Sequence, residues 1–267
     1  MNQELNNWLQ LIFRWAHVVA GIIWIGHLYF FNFVNAHFAK VLDGPTKKTV
    51  VPELMPRALY WFRWGAAWTW LTGALLGGLI YYHSRQILFE DGYQEGNSWL
   101  WFAIFLVLLA IGFVAYNAVM KAVKNLVVAN TIALVLFAAF YFFLEFVGHY
   151  SGRALYIHAG MIFGTMMAMN VWMVIWPYQK KIITATKEGT APDAALVATA
   201  GQRSRHNTFM SVPLIFMMIS NHYPTMFSAD ANIAGLPARD FCIFAVIAIG
   251  FVVTRLIYGK SAKVPGF

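Results

Sequence analysis

The chain has 267 residues, 60% of them hydrophobic and only 11% charged, with a formal net charge of +8. A soluble domain carries about a quarter charged residues, so this chain lacks the charge to clothe a water-facing surface. The basic excess does not indicate nucleic acid, because the lysines and arginines cluster beside apolar runs, where they report topology and contact with anionic lipid.

A membrane-spanning helix needs about 20 apolar residues, and the sequence offers seven such stretches. The first covers about 8–34. Met1–Asn7 before it holds Glu4 and no basic residue, and the apolar run is too long for a signal-peptide core, so it is expected to be a retained helix. The next spans are expected at about 58–82, 98–120, 125–147 and 155–177. Pro192 and Asp193 then open a short helix reaching Ala200. The sixth span, about 206–222, contains Pro213 and is expected to kink there; the seventh covers about 240–258. The fold class is all-α: one polytopic helix bundle over residues 1–267 in a lipid bilayer.

Basic residues orient the spans. Lys40, Lys47, Lys48, Arg57, Arg63, Lys121, Lys124, Lys180, Lys181, Lys187, Arg203, Arg205, Arg255, Lys260 and Lys263 all fall on one side of a seven-span count. Only Arg14, Arg85, Arg153 and Arg239 fall on the other. The N-terminus is therefore expected outside and the C-terminus in the cytoplasm. The single cysteine, Cys242, excludes an intrachain disulfide and a Cys-x-x-Cys-His site for covalent haem.

Eight histidines in so apolar a chain need an account, because ionisable groups inside spans are costly. Imidazoles on facing helices suit the axial positions of a b-type haem. His17 has Arg14 one turn above, placed to hold a propionate, and Gly21 one turn below, leaving room for a macrocycle. His158 stands beside the small residues Gly160, Gly164 and Ala168. His17 with His158, or with His222, is the expected iron-ligating pair, and His206 is a further candidate. Plainer roles compete with each. Histidines near span ends, such as His37 and His83, sit at the interface or bond a neighbouring helix. Gly160-x-x-x-Gly164 and Gly73-x-x-x-Gly77 are helix-packing motifs, and Arg14 can snorkel to the headgroups. The methionines Met166, Met167, Met169, Met217 and Met218 suit core filling better than copper.

The second half carries a dense constellation: Gly152-Arg153-Ala154, His158-Ala159-Gly160, Gly164 to Val171, Pro177 to Lys181, Ala191-Pro192-Asp193, Gln202 to Asn207, and Ser220 to Pro224. Arg14 to His17, Trp24-Ile25-Gly26, Trp61 to Trp64 and Thr69-Trp70-Leu71 add to it. Together these resemble the membrane domain of the bacterial cytochrome-c-linked urate oxidase family. The resemblance implies a bacterial inner-membrane oxidoreductase that passes electrons from a purine such as urate to a cytochrome c. Arg203, Asn207 and Asn221 are the substrate-binding candidates it retains, against helix capping for the two asparagines and a topology role for the arginine. In that family a cytochrome c domain follows the membrane part. Here no Cys-x-x-Cys-His motif precedes Phe267, so a separate cytochrome c or respiratory complex subunit is the expected acceptor. Tyr60 and Gly65 stand where the family pattern carries His and Glu. That departure keeps open a non-catalytic accessory subunit, and Pro213 in a short helix a purine or small-anion transporter.

Overall fold

The computed structural model describes residues 2–85, 87–91, 93, 97–223, 232–233 and 235–265; Pro224 of the last motif lies outside them. Helix α1 (Gln3–Tyr29) runs through a π-helical stretch, Phe30–Asn35, into α2 (Ala36–Val41). Helix α3 (Gly44–Gly77) also ends in π-helical turns, Gly78–His83. Then come α4 (Ser98–Ala122), α5 (Leu126–Phe146) and α6 (Gly152–Asn170), which continues through Val171–Ile175 into α7 (Trp176–Glu188). Helix α8 (Ala194–Ile219) closes on a 3-10 turn, Ser220–His222, and α9 (Ala238–Ser261) follows a two-residue antiparallel pairing of Asn232–Ile233 with Leu236–Pro237.

The protein is an all-α membrane protein. Among the described residues, five helical stretches are long and apolar enough to cross a bilayer: Gln3–Val41, Ser98–Ala122, Leu126–Phe146, Gly152–Glu188 and Ala238–Ser261. On α1 the apolar residues Trp8, Leu11, Trp15, Val18 and Ile22 are exposed at alternating steps of three and four, a continuous apolar face suited to lipid.

Side-chain capping marks the ends that the sequence located well. Asn97 accepts from the Trp99 and Leu100 amides to start α4, and Asn125 accepts from Val127 and Val128 to start α5. Several helical stretches outrun their expected limits, the first running from Gln3 to Val41 rather than over about 8–34. Helix α3 starts at Gly44 rather than near residue 58 and carries Pro52 and Pro56 within it. Helix α7 carries the fifth segment to Glu188, where Gly189 ends it in the left-handed region at φ 75°. The expected short helix at Asp193 and the sixth span are one helix, and Pro213 lies within it without breaking it.

The chain forms two compact units. The first comprises Met1–Leu11, Gly73–Met166 and Leu214–Ala245. In it α4 buries Phe105, Leu109, Phe113, Tyr116 and Met120, a single stripe at helical spacing, while α6 is buried all round through Leu155, Tyr156, His158 and Ala159. The glycine motifs serve packing. A Cβ on Gly160 would stand 2.8 Å from Met218 Cε, and one on Gly77 2.7 Å from Met161 Cε. The methionines fill these contacts as gap-fillers do.

The second unit comprises Ile12–Thr72, Met167–Pro213 and Val246–Phe267. Several of its polar groups satisfy one another, as is favoured where no water competes. Asn32 donates to Leu28 O at 2.9 Å and Ser204 Oγ at 2.8 Å, and accepts from the Tyr258 hydroxyl at 2.8 Å. Tyr29 and Ser211 bond through their hydroxyls at 3.0 Å.

Candidate functional site

In the first unit the residues converge on His158, whose side chain is fully buried. Its Nδ1 lies 2.7 Å from Ala154 O, a carbonyl that can only accept, so Nδ1 carries the proton and Nε2 presents a lone pair. The Tyr82 hydroxyl, 2.6 Å away, must therefore donate to Nε2. That uses the single hydroxyl proton of Tyr82, so the Tyr150 hydroxyl donates to Tyr82 at 3.0 Å. Burial pushes the Tyr150 phenol well above its usual range, which keeps it a donor. The rings of Phe105 and Tyr150 meet the imidazole edge-on at 4.7 and 4.9 Å.

Tyr81 links this box to a second expected residue. Its ring meets His158 edge-on at 5.4 Å, and its hydroxyl accepts from Asn221 Nδ2 at 2.7 Å. Asn221 Oδ1 in turn accepts from Arg153 Nε at 3.2 Å. His222, the next residue, is exposed. The structure thus brings His158 and Asn221 into one network and leaves His222 at its margin.

In the second unit His17 lies half-buried on α1. Its Nδ1 is 2.9 Å from Thr69 O and 3.3 Å from Thr72 Oγ1. The carbonyl again fixes the proton on Nδ1, and Nε2 has no partner among the described residues. Gly21 faces Thr69, with a Cβ there in ordinary contact at 3.9 Å from the threonine methyl, so its open side is turned to α3. Arg14 is exposed. Arg203 and Asn207 are buried on α8 and His206 is half-buried between them. Asn207 accepts from Asn170 Nδ2 at 2.9 Å and donates to Met167 O at 2.9 Å, which ties α8 to α6.

Gly65, at the departure from the family pattern, has a physical role. A Cβ there would stand 3.0 Å from Trp24 N and 3.2 Å from Trp24 Cα, so the glycine lets α3 lie against the backbone of α1. Any side chain there requires the two helices to give by a few tenths of an ångström. Tyr60 is half exposed, and the Arg63 guanidinium sits 5.6 Å from its ring and 3.9 Å from that of Trp176.

Sequence reasoning passed over one cluster altogether. In the first unit Arg239 binds Glu90 at 2.8 Å and Glu145 at 3.0 Å, and Tyr141 donates to Asp240 at 2.7 Å. The signal was present: Glu145 is an acidic residue inside an otherwise apolar run, and Arg239-Asp240 opens the next one.

A family model described as urate oxidase N-terminal matches residues 3–48 and 42–263. No curated protein and no solved structure matches the chain.

Proposed function

Because this chain belongs to the urate oxidase N-terminal family, we propose that it is a bacterial inner-membrane redox protein that holds a b-type haem and passes electrons to a separate cytochrome c or respiratory complex. The seven-span arrangement with the N-terminus outside is part of the same proposal and rests on the distribution of basic residues. The observation that carries it is the state of His17. Thr69 O holds its Nδ1 proton and leaves Nε2 as an unpartnered lone pair, the orientation that iron-binding histidines owe to a carbonyl behind them. His158 has the same tautomer, but Tyr82 covers its lone pair, so His17 with His158 does not fit as the hydrogen bonds stand. His222, exposed and with no partner among the described residues, is a further candidate ligand. A bound haem would supply one-electron transfer. The protein's own part is to orient: Thr72 donates to Trp68 O at 2.6 Å and lies 3.3 Å from the His17 ring, and Arg14 stays exposed where a propionate would need a cation.

The oxidisable substrate would be a purine such as urate, recognised by stacking on aromatic rings and by arginine and asparagine side chains. A dithionite-reduced minus oxidised spectrum of the purified protein tests the redox function. Sharp haem b bands are expected, and cleanly folded protein without them would refute it.

A second function has its own observation. Gly65 packs against the Trp24 backbone, where a Cβ would stand 3.0 Å from Trp24 N, and the carboxylate of the family pattern is absent there. That favours an accessory subunit retaining the scaffold without urate chemistry. Co-purification with a stoichiometric partner, together with folded wild type that carries no haem, would support it.

A further inference from the structure

We propose that Glu145 and Asp240 form a proton-binding site in the first unit, holding one exchangeable proton between their two carboxyl groups. Glu145 lies at the end of α5 and Asp240 at the start of α9; they are 5% and 0% exposed. Both face the same guanidinium: Arg239 Nη2 lies 3.0 Å from Glu145 Oε1, and Arg239 Nε lies 3.8 Å from Asp240 Oδ1.

The charge count sets the problem. Three carboxylates, Glu90, Glu145 and Asp240, face one guanidinium, that of Arg239. Glu90 has a side chain 42% exposed, so water can screen it, whereas Glu145 and Asp240 have no such access. Arg239 gives its Nη2 to both Glu90 and Glu145, and approaches Asp240 only at 3.8 Å through Nε. One oxygen of each buried acid, Glu145 Oε2 and Asp240 Oδ2, has no donor among the described residues. Buried oxygens left without a donor are rare in folded proteins. Two adjacent buried carboxylates also do not both ionise when one cation must serve three acids.

A single proton resolves both difficulties. Placed on one acid, it makes that group the donor the other lacks, and it removes one of the two uncompensated charges. No electron moves and no bond other than O–H is made. Among the described residues, the other titratable groups around the pair are Tyr141 on α5, which donates to Asp240 Oδ1, Tyr156 on α6, which donates to Arg239 O at 2.6 Å, and Cys242 on α9 near Tyr156. The proton belongs to the pair rather than to either acid. An acid pair that takes up and returns a proton is a place where redox chemistry in the same membrane protein could deposit one, but its existence does not depend on haem.

Infrared spectroscopy of the full chain in detergent or lipid tests the site. At about neutral pH the wild type should show the carbonyl stretch of a protonated carboxylic acid, shifted in D2O and lost on raising the pH. Glu145→Gln supplies an amide donor to Asp240 without a titrating proton, and Asp240→Asn does the converse; each should abolish the band. A wild-type spectrum without the band overturns the proposal, because two ionised acids would then need a bound cation. So does a band that survives in both variants. The wild-type pH and D2O series stands alone if either variant fails to fold.

Discussion

Replacing Tyr82 with phenylalanine tests the hydrogen-bond directions around His158 most sharply. The substitution removes one oxygen and leaves the ring, so packing against Phe102, 4.8 Å away, survives. His158 Nε2 then loses the donor at 2.6 Å and Tyr150 loses its acceptor at 3.0 Å, all inside a site without exposed surface. A buried polar group left without its partner costs about 1–3 kcal/mol. In a chain of this size that lowers Tm by about 2–4 °C for each kcal/mol. Tyr150→Phe should cost less, because Tyr82 still donates to His158. His158→Phe combined with Tyr82→Phe should cost less than the sum of the single changes, since the second removes a group the first has already orphaned. The assay is thermal unfolding of the purified protein in one detergent. A Tyr82→Phe variant as stable as the wild type, or strict additivity in the double variant, would refute the assigned tautomer and donor chain.

Gly65→Glu should destabilise by about 1–3 kcal/mol or fail to fold, because its Cβ meets the Trp24 backbone at 3.0 Å; thermal unfolding of Gly65→Glu against the exposed control Tyr60→His checks this. Asn207→Leu should cost about 1–3 kcal/mol by removing the acceptor of Asn170 Nδ2 and the amide donor to Met167 O, again read from Tm. For topology, cysteines placed singly at Lys181 and Arg153 after Cys242→Ser should differ in labelling of intact cells by an impermeant maleimide. The seven-span arrangement expects Arg153→Cys to label and Lys181→Cys to label only after lysis; the opposite pattern contradicts it.

The sequence made some elements plain for identifiable reasons. Helices α4 and α5 fall within two residues of expectation because Asn97 and Asn125 cap them and Lys121 and Lys124 separate them. Helix α8 was read as two pieces because Ala194–Arg205 is too polar for a span, yet it is helical and buries Ala200 and Arg203. The first turns of α3 carry Lys47, Lys48, Glu53, Pro52 and Pro56, so hydropathy alone does not show that the helix begins at Gly44.

Individual site residues were legible and their partners were not. Burial cost singled out His17 and His158. Nothing local announces that Tyr82 covers the second of them, since its neighbours Tyr150 and His158 lie 68 and 76 residues further on. Likewise Gly21 suggested space for a cofactor, but only tertiary packing turns its open side to Thr69. Glu145 and Asp240 each look ordinary at a span end, and become unusual only when paired.

The most direct test of the redox function is the haem content of the purified wild type beside His17→Ala, measured as the pyridine haemochrome per mole of protein. The wild type is expected to carry haem b, and His17→Ala to lose it while keeping the wild-type helical circular dichroism. Folded wild type without haem, or an unchanged ratio in His17→Ala, would contradict it.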